Sequence, residues 1–166
     1  VYKRQTRAAA SHTGALATAG TALEALFQQA GIIRVDTLEE LFDVAELLAH
    51  QPVPAGKRVV IITNGGGPGI LTADACAARG LEVPLPSAEI QAELRKRLPR
   101  AASLTNPVDM TAEATAGDYK RTLELLAREE PADIVIAIFI PPVVTQPEMV
   151  AAAIREVAPL FRERGR

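Results

Sequence analysis

Between residues 59 and 63 the chain reads Val-Val-Ile-Ile-Thr, an apolar run that closes on a threonine. A β-branched run without alternation suits a strand covered on both faces, the kind found at the centre of a parallel sheet. Asn64, Gly65, Gly66, Gly67, Pro68 and Gly69 follow as a predicted loop with four glycines and one proline. A helical pattern over 70–79 comes next and Gly80 stops it. Upstream, Leu23, Leu26 and Phe27 share one face of a predicted helix over 21–30, ended by Gly31. Residues 32–35 read as a short strand. Asp36 or Thr37 caps a second helix, in which Leu38, Leu41, Phe42, Ala45 and Leu48 recur at helical spacing. That helix gives out at His50-Gln51, and Pro52-Val53-Pro54-Ala55-Gly56 reads as a rigid linker and an internal boundary.

Downstream, Ser87 caps a predicted helix to Leu98 with Ile90 and Leu94 inward. Residues 106–110 form a short strand behind Pro107. Thr115 and Asp118 stand at capping-box spacing before a helix over 116–129. Residues 133–140 read as a second central strand, ended by Pro141-Pro142, and Thr145 with Glu148 opens a last helix over 147–164. Residues 1–10 carry no periodicity and read as coil, and 11–16 as a polar loop. Strands alternating with helices imply an α/β fold, a parallel sheet with helices on both faces. Right-handed crossovers then place the loops after Thr63, Met110 and Ile140 at the carboxyl edge of the sheet, where open α/β sheets bind ligands. Asn64, Asp109 and the Pro141 region are therefore expected to face one crevice.

Composition narrows the classes. The 166 residues are 48% hydrophobic but only 4% aromatic, so the core must be built from Ala, Val, Ile and Leu. A formal charge of −2 creates no field for nucleic acid or an anionic membrane, and neither is expected as a partner. The single cysteine, Cys76, excludes an internal disulfide, fits a reducing, cytoplasmic setting and reads as a small buried hydrophobe. No apolar run approaches a membrane span, and no signal peptide is legible at a start that reads as a piece of something longer.

The glycines at 65, 66, 67 and 69 leave backbone N–H groups bare, and the helix behind them turns its positive end to the same spot. An anion, most often phosphate, is stabilised there by about 0.3–1 kcal/mol when exposed and up to about 2 kcal/mol when partly buried. The spacing is neither the dinucleotide fingerprint nor a P-loop. Taken alone, this turn supports phosphate binding and simple chain reversal equally. Asp109 suits a site role or an N-terminal cap. The Arg95-Lys96-Arg97 cluster reads as a solvated helix face, and His50 as a structural partner of a helix dipole. No metal site is expected.

A second segment changes the balance. Ser11-His12-Thr13-Gly14-Ala15-Leu16 resembles the phosphohistidine loop of NDP-forming acyl-CoA synthetases, the superfamily that includes succinyl-CoA synthetase. Residues 31–43 are similar to the segment after that loop in the fused, ADP-forming members. Asn64-Gly-Gly-Gly-Pro-Gly69 resembles the phosphate-facing turn of their ligase-CoA domain, and Asn106-Pro-Val-Asp109 and Phe139-Ile-Pro-Pro142 recur in the same order. Ala17-Thr-Ala-Gly20 departs from the commoner Ala-Gly-Ser-Asp, and residues 1–5 do not resemble the family sequence.

The resemblance implies a flavodoxin-like, succinyl-CoA-synthetase-like sheet preceded by a helical linker segment. On this reading 1–20 end a preceding flavodoxin-like domain, 21–56 form the linker, and 57–166 form a ligase-CoA domain truncated at its C-terminus. The implied reaction interconverts acyl-CoA, ADP and phosphate with acid, CoA and ATP through an acyl phosphate and a phosphohistidine. His12 matches the phosphorylated histidine, and Asn64, Gly65, Gly66, Gly67 and Gly69 the phosphate-binding turn, with Asp109 a further site residue. The helix after the turn resembles the family's power helix. The fragment itself is expected to hold no cofactor and not to turn over alone. Mg-ATP or Mg-ADP and CoA belong to the full-length enzyme, together with CoA-binding and ATP-grasp domains or subunits, a small-molecule acid, phosphate and an oligomeric assembly. Two other readings are a ligand-sensing regulatory domain of a protein acetyltransferase fusion, against which His12 argues, and a receiver-like or flavin-binding domain, which lacks the acidic cluster or stacking aromatics.

Overall fold

Val59–Thr63, here β1, is the strand on which the larger part of the chain is assembled, and every residue in it is buried. The computed structural model describes residues 20–129, 132–141 and 146–162. The loop with His12, the coil over 1–10, Pro142, Thr145 and the expected helix end at 163–164 lie outside the described residues. The chain divides into two compact units, Val1–Gln51 and Pro52–Arg166.

In the first unit, α1 spans Gly20–Ala30 and α2 spans Leu38–His50. Gly31 takes a left-handed φ of 68°, which lets the Ile32 N–H reach back to Phe27 O at 2.8 Å and close the end of α1. Thr37, one of the two residues suggested as a cap, carries the capping box: its hydroxyl accepts from Glu40 N while the Glu40 carboxylate accepts from Thr37 N. Residues 32–35 are not a strand, which corrects the expectation. No strand is described in this unit for them to pair with, and Arg34 is drawn to Glu24 at 2.5 Å instead. The apolar stripe of α2 lies in place, yet no residue of this helix is buried within the chain.

In the second unit, α3 spans Gly66–Ala78, α4 Ala88–Arg95, β2 Val108–Asp109, α5 Ala116–Glu129, β3 Ile134–Ile138 and α6 Pro147–Arg162. The strands are parallel in the order β2–β1–β3, with Val59 opposite Ile134 and Thr63 opposite both Asp109 and Ile138. Alternation along β1 sends Val60 and Ile62 to one face, against Ile90 and Leu94 of α4, Tyr119 and Leu126 of α5, and Val150 and Val157 of α6. Val59 and Ile61 go to the other face, against Cys76 and Ala73 of α3. Helices therefore cover both faces, as the alternation of runs predicts. Each buried aliphatic side chain of β1 stabilises the fold by about 1.5–3 kcal/mol before entropy is counted.

β3 departs from the expected central strand. It is shorter than 133–140, stands at the edge of the described three-stranded order, and is half-buried throughout. α4 ends at Arg95 rather than Leu98 because Pro99 follows, and the last turn tightens with Arg97 N and Leu98 N both on Leu94 O. The basic cluster there is locally spent. Arg95 donates to the carbonyls of Pro99, Arg100 and Ala102, and Lys96 and Arg97 pair with Glu93. Cys76 is buried, as its neighbours imply.

Two side-chain devices hold the strand ends in register. Arg58, one residue before β1, meets Asp133, one residue before β3, through Nε–Oδ2 at 3.0 Å and Nη2–Oδ1 at 3.1 Å. β2 is only two residues long, and Asn106 stands in for the missing rung. Its Oδ1 accepts from Ile61 N at 3.0 Å, and its Nδ2 donates to Val59 O at 2.7 Å and Pro84 O at 2.9 Å. An Asn106→Ala chain should lose about 2–4 kcal/mol, because buried backbone groups of β1 are left unpaired. A shift in the urea unfolding midpoint measures this, and a shift worth less than about 1 kcal/mol would contradict the role.

Candidate phosphoryl-binding edge of the sheet

Thr63 ends β1 and shapes the turn into α3. Its hydroxyl accepts from Gly65 N at 3.0 Å and lies 3.0 Å from Gly65 O. Asn64, 4% exposed, turns its carboxamide sideways onto the chain leaving β3: Nδ2 donates to Ile140 O at 2.7 Å, and Oδ1 accepts from Ile140 N at 2.8 Å. Gly65 is the N-cap of α3 in an extended conformation, and no side chain caps the helix.

α3 begins at Gly66, not near residue 70, so the predicted glycine loop is in large part the helix's first turn. Pro68 is allowed there because the first N–H groups of a helix have no intrahelical partner to lose. Glycine costs about 1 kcal/mol per residue in a helix relative to alanine, so three in one turn need a reason. For most it is close approach. A Cβ on Gly65 would stand 2.5 Å from Ile140 Cδ1, one on Gly66 2.9 Å from Asp109 Oδ2, and one on Gly69 2.9 Å from Thr63 Cγ2 and 3.2 Å from Pro107 Cβ. Gly67 alone of the four has nothing within 4 Å. The N–H groups of Gly66 and Gly67 make no hydrogen bond among the described residues. They stand at the positive end of α3.

Asp109 ends β2 beside this turn. Its Oδ1 accepts from Thr111 N at 2.9 Å, where Thr111 takes a left-handed φ of 71°, and its Oδ2 faces Gly66. From the opposite side Tyr119 of α5, fully buried, donates its hydroxyl to Ile138 O at 2.6 Å and meets the Phe139 ring edge-on at 5.7 Å. Burial pushes the Tyr119 phenol far above its ordinary range; the backbone at Asn64 acts against this and the Asp109 charge adds to it.

The carboxyl edge therefore brings together Asn64, Gly65, Gly66, Gly67, Gly69, Asp109 and Ile140, as the crossover argument predicts, while His12 lies outside the described residues. Two clefts of about 370 Å³ lie elsewhere, one lined by Ser87, Ile90, Arg97 and Leu125, the other by Leu71, Ala75, Arg79 and Leu81. Sequence reasoning missed Tyr119 and the Asn64–Ile140 pair. The latter joins residues 76 apart and leaves no local pattern. Asn106 stood inside a recognised motif, but its work on the β1 backbone is visible only in three dimensions.

Gly67→Ala should be tolerated within about 1 kcal/mol. Gly69→Ala should cost about 1–3 kcal/mol, because α3 is pushed off Thr63 and Pro107. Urea midpoints of the two variants test the contrast, and equal costs would contradict the packing assignment. Because the folded Tyr119 binds its proton more tightly than the unfolded one, its contribution is complete below about pH 10 and declines above it by about 1.4 kcal/mol per pH unit. Tyr119→Phe should remove that part of the alkaline slope in stability measured against pH.

Comparison with known proteins supplies the context for this edge. Residues 2–48 match the family model described as the succinyl-CoA ligase like flavodoxin domain, and residues 59–166 match the ligase-CoA domain. The chain is 46% identical over 136 residues to the alpha subunit of acetate–CoA ligase (ADP-forming) II of Pyrococcus furiosus, covering 82% of this chain and 30% of the relative. Against the alpha subunit of acetate–CoA ligase (ADP-forming) I of the same organism it is 36% identical over 165 residues, covering 99% and 35%. Among solved structures, the dinucleotide forming acetyl-coenzyme A synthetase 1 of Ca. Korarchaeum cryptofilum, in complex with phosphate and ADP, superposes with a TM-score of 0.86. It shares 31% identity over 99% of this chain and 35% of that one. The chain spans about a third of the length of these relatives.

Proposed function

We infer the function from membership: the chain belongs to the superfamily of NDP-forming acyl-CoA synthetases and carries their flavodoxin-like ligase-CoA domain. It is part of an acid–CoA ligase that interconverts acyl-CoA, ADP and phosphate with the free acid, CoA and ATP. Its relatives are named as ligases, which gives no support to the sensing-domain reading. The observation that carries the proposal is the uncapped start of α3 at the carboxyl edge of a parallel sheet, with two bare N–H groups.

A dianionic phosphoryl group fits there. The N–H groups of Gly66 and Gly67 and the helix dipole are fixed before the reaction, so they stabilise the charge in transfer without reorganising. Gly65 and Gly69 serve by letting Ile140 and the Thr63–Pro107 surface approach, and Asp109 borders the space through Oδ2. His12 is the carrier. One neutral ring nitrogen attacks the phosphorus of the acyl phosphate, the acid leaves as its carboxylate, and the phosphoryl group later passes to ADP. Mg²⁺ with ADP or ATP, and CoA, supply the remaining chemistry on CoA-binding and ATP-grasp domains or subunits of an oligomeric, cytoplasmic enzyme. Residues 1–20, 21–56 and 57–166 serve as the end of the preceding domain, a helical linker and the ligase-CoA domain. The first family match extends over the linker helices as far as residue 48.

Full-length parent protein and its His12→Ala form, each incubated with labelled ATP and Mg²⁺, test the assignment. An acid-labile, base-stable phosphoryl group should form on the parent and be lost from the variant. Equal labelling of both would move the carrier elsewhere.

A further inference from the structure

Asn64 stands in the glycine turn, where a carboxamide would ordinarily be taken for a ligand contact. Its geometry says otherwise. The side chain is all but buried, its oxygen is taken by the Ile140 N–H, and its nitrogen is directed to Ile140 O. The pair reproduces a rung of a parallel sheet with a side chain in place of a strand, one residue beyond the end of β1 and two beyond the end of β3. The next residue, Gly65, has no Cβ, and Ile140 Cδ1 occupies the space one would take.

The chain leaving β3 is held from its other side as well. Tyr119 binds Ile138 O, and the Phe139 ring packs on Tyr119. Residues 138–140 are thus clamped between the turn before α3 and the buried face of α5. Ile140 is left 42% exposed beside the helix start.

We propose that Asn64 is a positioning residue for the phosphoryl site, acting through Ile140: it holds this side chain against Gly65 as an apolar wall beside the bare N–H groups of Gly66 and Gly67. The proposal rests on the reading of the start of α3 as the phosphoryl site. An apolar side chain against Gly65 reduces the water that competes for the two N–H groups and lowers the local dielectric, which strengthens their hold on a dianion. Without the carboxamide the backbone at Ile140 loses both partners and turns to solvent, and the wall goes with it.

The test uses the full-length enzyme in the ATP-forming direction, with parent, Asn64→Ala, Ile140→Ala and the double variant compared at varied phosphate. Asn64→Ala should raise the KM for phosphate about tenfold, the size expected from losing one to two hydrogen bonds. The KM values for ADP and acyl-CoA should stay within about twofold. Ile140→Ala should act in the same direction, and the double variant should be no worse than the more affected single one, because both changes remove the same wall. Additive effects would overturn the proposal in favour of a direct contact. A uniform fall in activity that follows the folded fraction, with every KM unchanged, would overturn it in favour of a structural role alone. If the parent itself forms no phosphohistidine, the functional reading fails. If the parent is labelled and Asn64→Ala leaves the KM for phosphate unchanged, only the role of Asn64 fails.

Discussion

A strand enclosed on both faces must find a partner for every backbone N–H and C=O, since none can turn to water. β1 is such a strand, and its surroundings can be understood as answers to that requirement. β3 supplies a full ladder along one side. Along the other side β2 reaches only Ile62 and Thr63, so the Asn106 side chain pairs with Val59 and Ile61. Beyond Thr63 the partner strand has ended its regular course, and Asn64 binds the Ile140 backbone through its own side chain. Two asparagines thus lengthen a sheet that its strands leave short.

The same enclosure explains the glycines. Because the chain leaving β3 is drawn in by Asn64, the tip of Ile140 stands where a Cβ on Gly65 would be, and because β2 is drawn against Thr63, Asp109 Oδ2 stands close to Gly66 and Pro107 crowds Gly69. Packing thus demands a glycine most strongly at 69, against Thr63 and Pro107, and brings side-chain ends close to 65 and 66. The open space at Gly67 is what remains when its neighbours have closed in, and it coincides with the positive end of an uncapped helix. On the proposed reading, the groups that bind are those that packing leaves unused rather than side chains aimed at a ligand. That explains why Asn64, the most polar side chain of the turn, faces the protein.

Electrostatics elsewhere is mostly settled within the fold. Arg58 and Asp133 lock the entry ends of β1 and β3, and Arg95, Lys96 and Arg97 are absorbed by nearby carbonyls and Glu93. The carboxyl edge differs. There a carboxylate, a helix start and a buried phenol meet, and burial with the nearby Asp109 charge outweighs the backbone at Asn64 in raising the Tyr119 phenol.

Short-range patterns were enough for the helices, the central strand, the Thr37, Ser87 and Thr115 caps and the edge at which Asn64 and Asp109 meet, because capping and periodicity act over three or four residues. Motifs along the chain were enough for the family. Among the described residues β3, as apolar as β1, pairs with one neighbouring strand and β1 with two, a difference that composition does not carry. Residues 32–35 have strand composition without a strand to pair with. The start of α3 was misplaced because glycine and proline signal a loop locally, while packing against Thr63, Pro107 and Asp109 favours a helix. Sequence alone therefore determined which residues gather at the carboxyl edge. The tertiary structure decided what each does there, because Asn64 meets Ile140, 76 residues away, and Gly66 and Gly69 meet Asp109 and Pro107 of a distant strand segment, where no local pattern reaches.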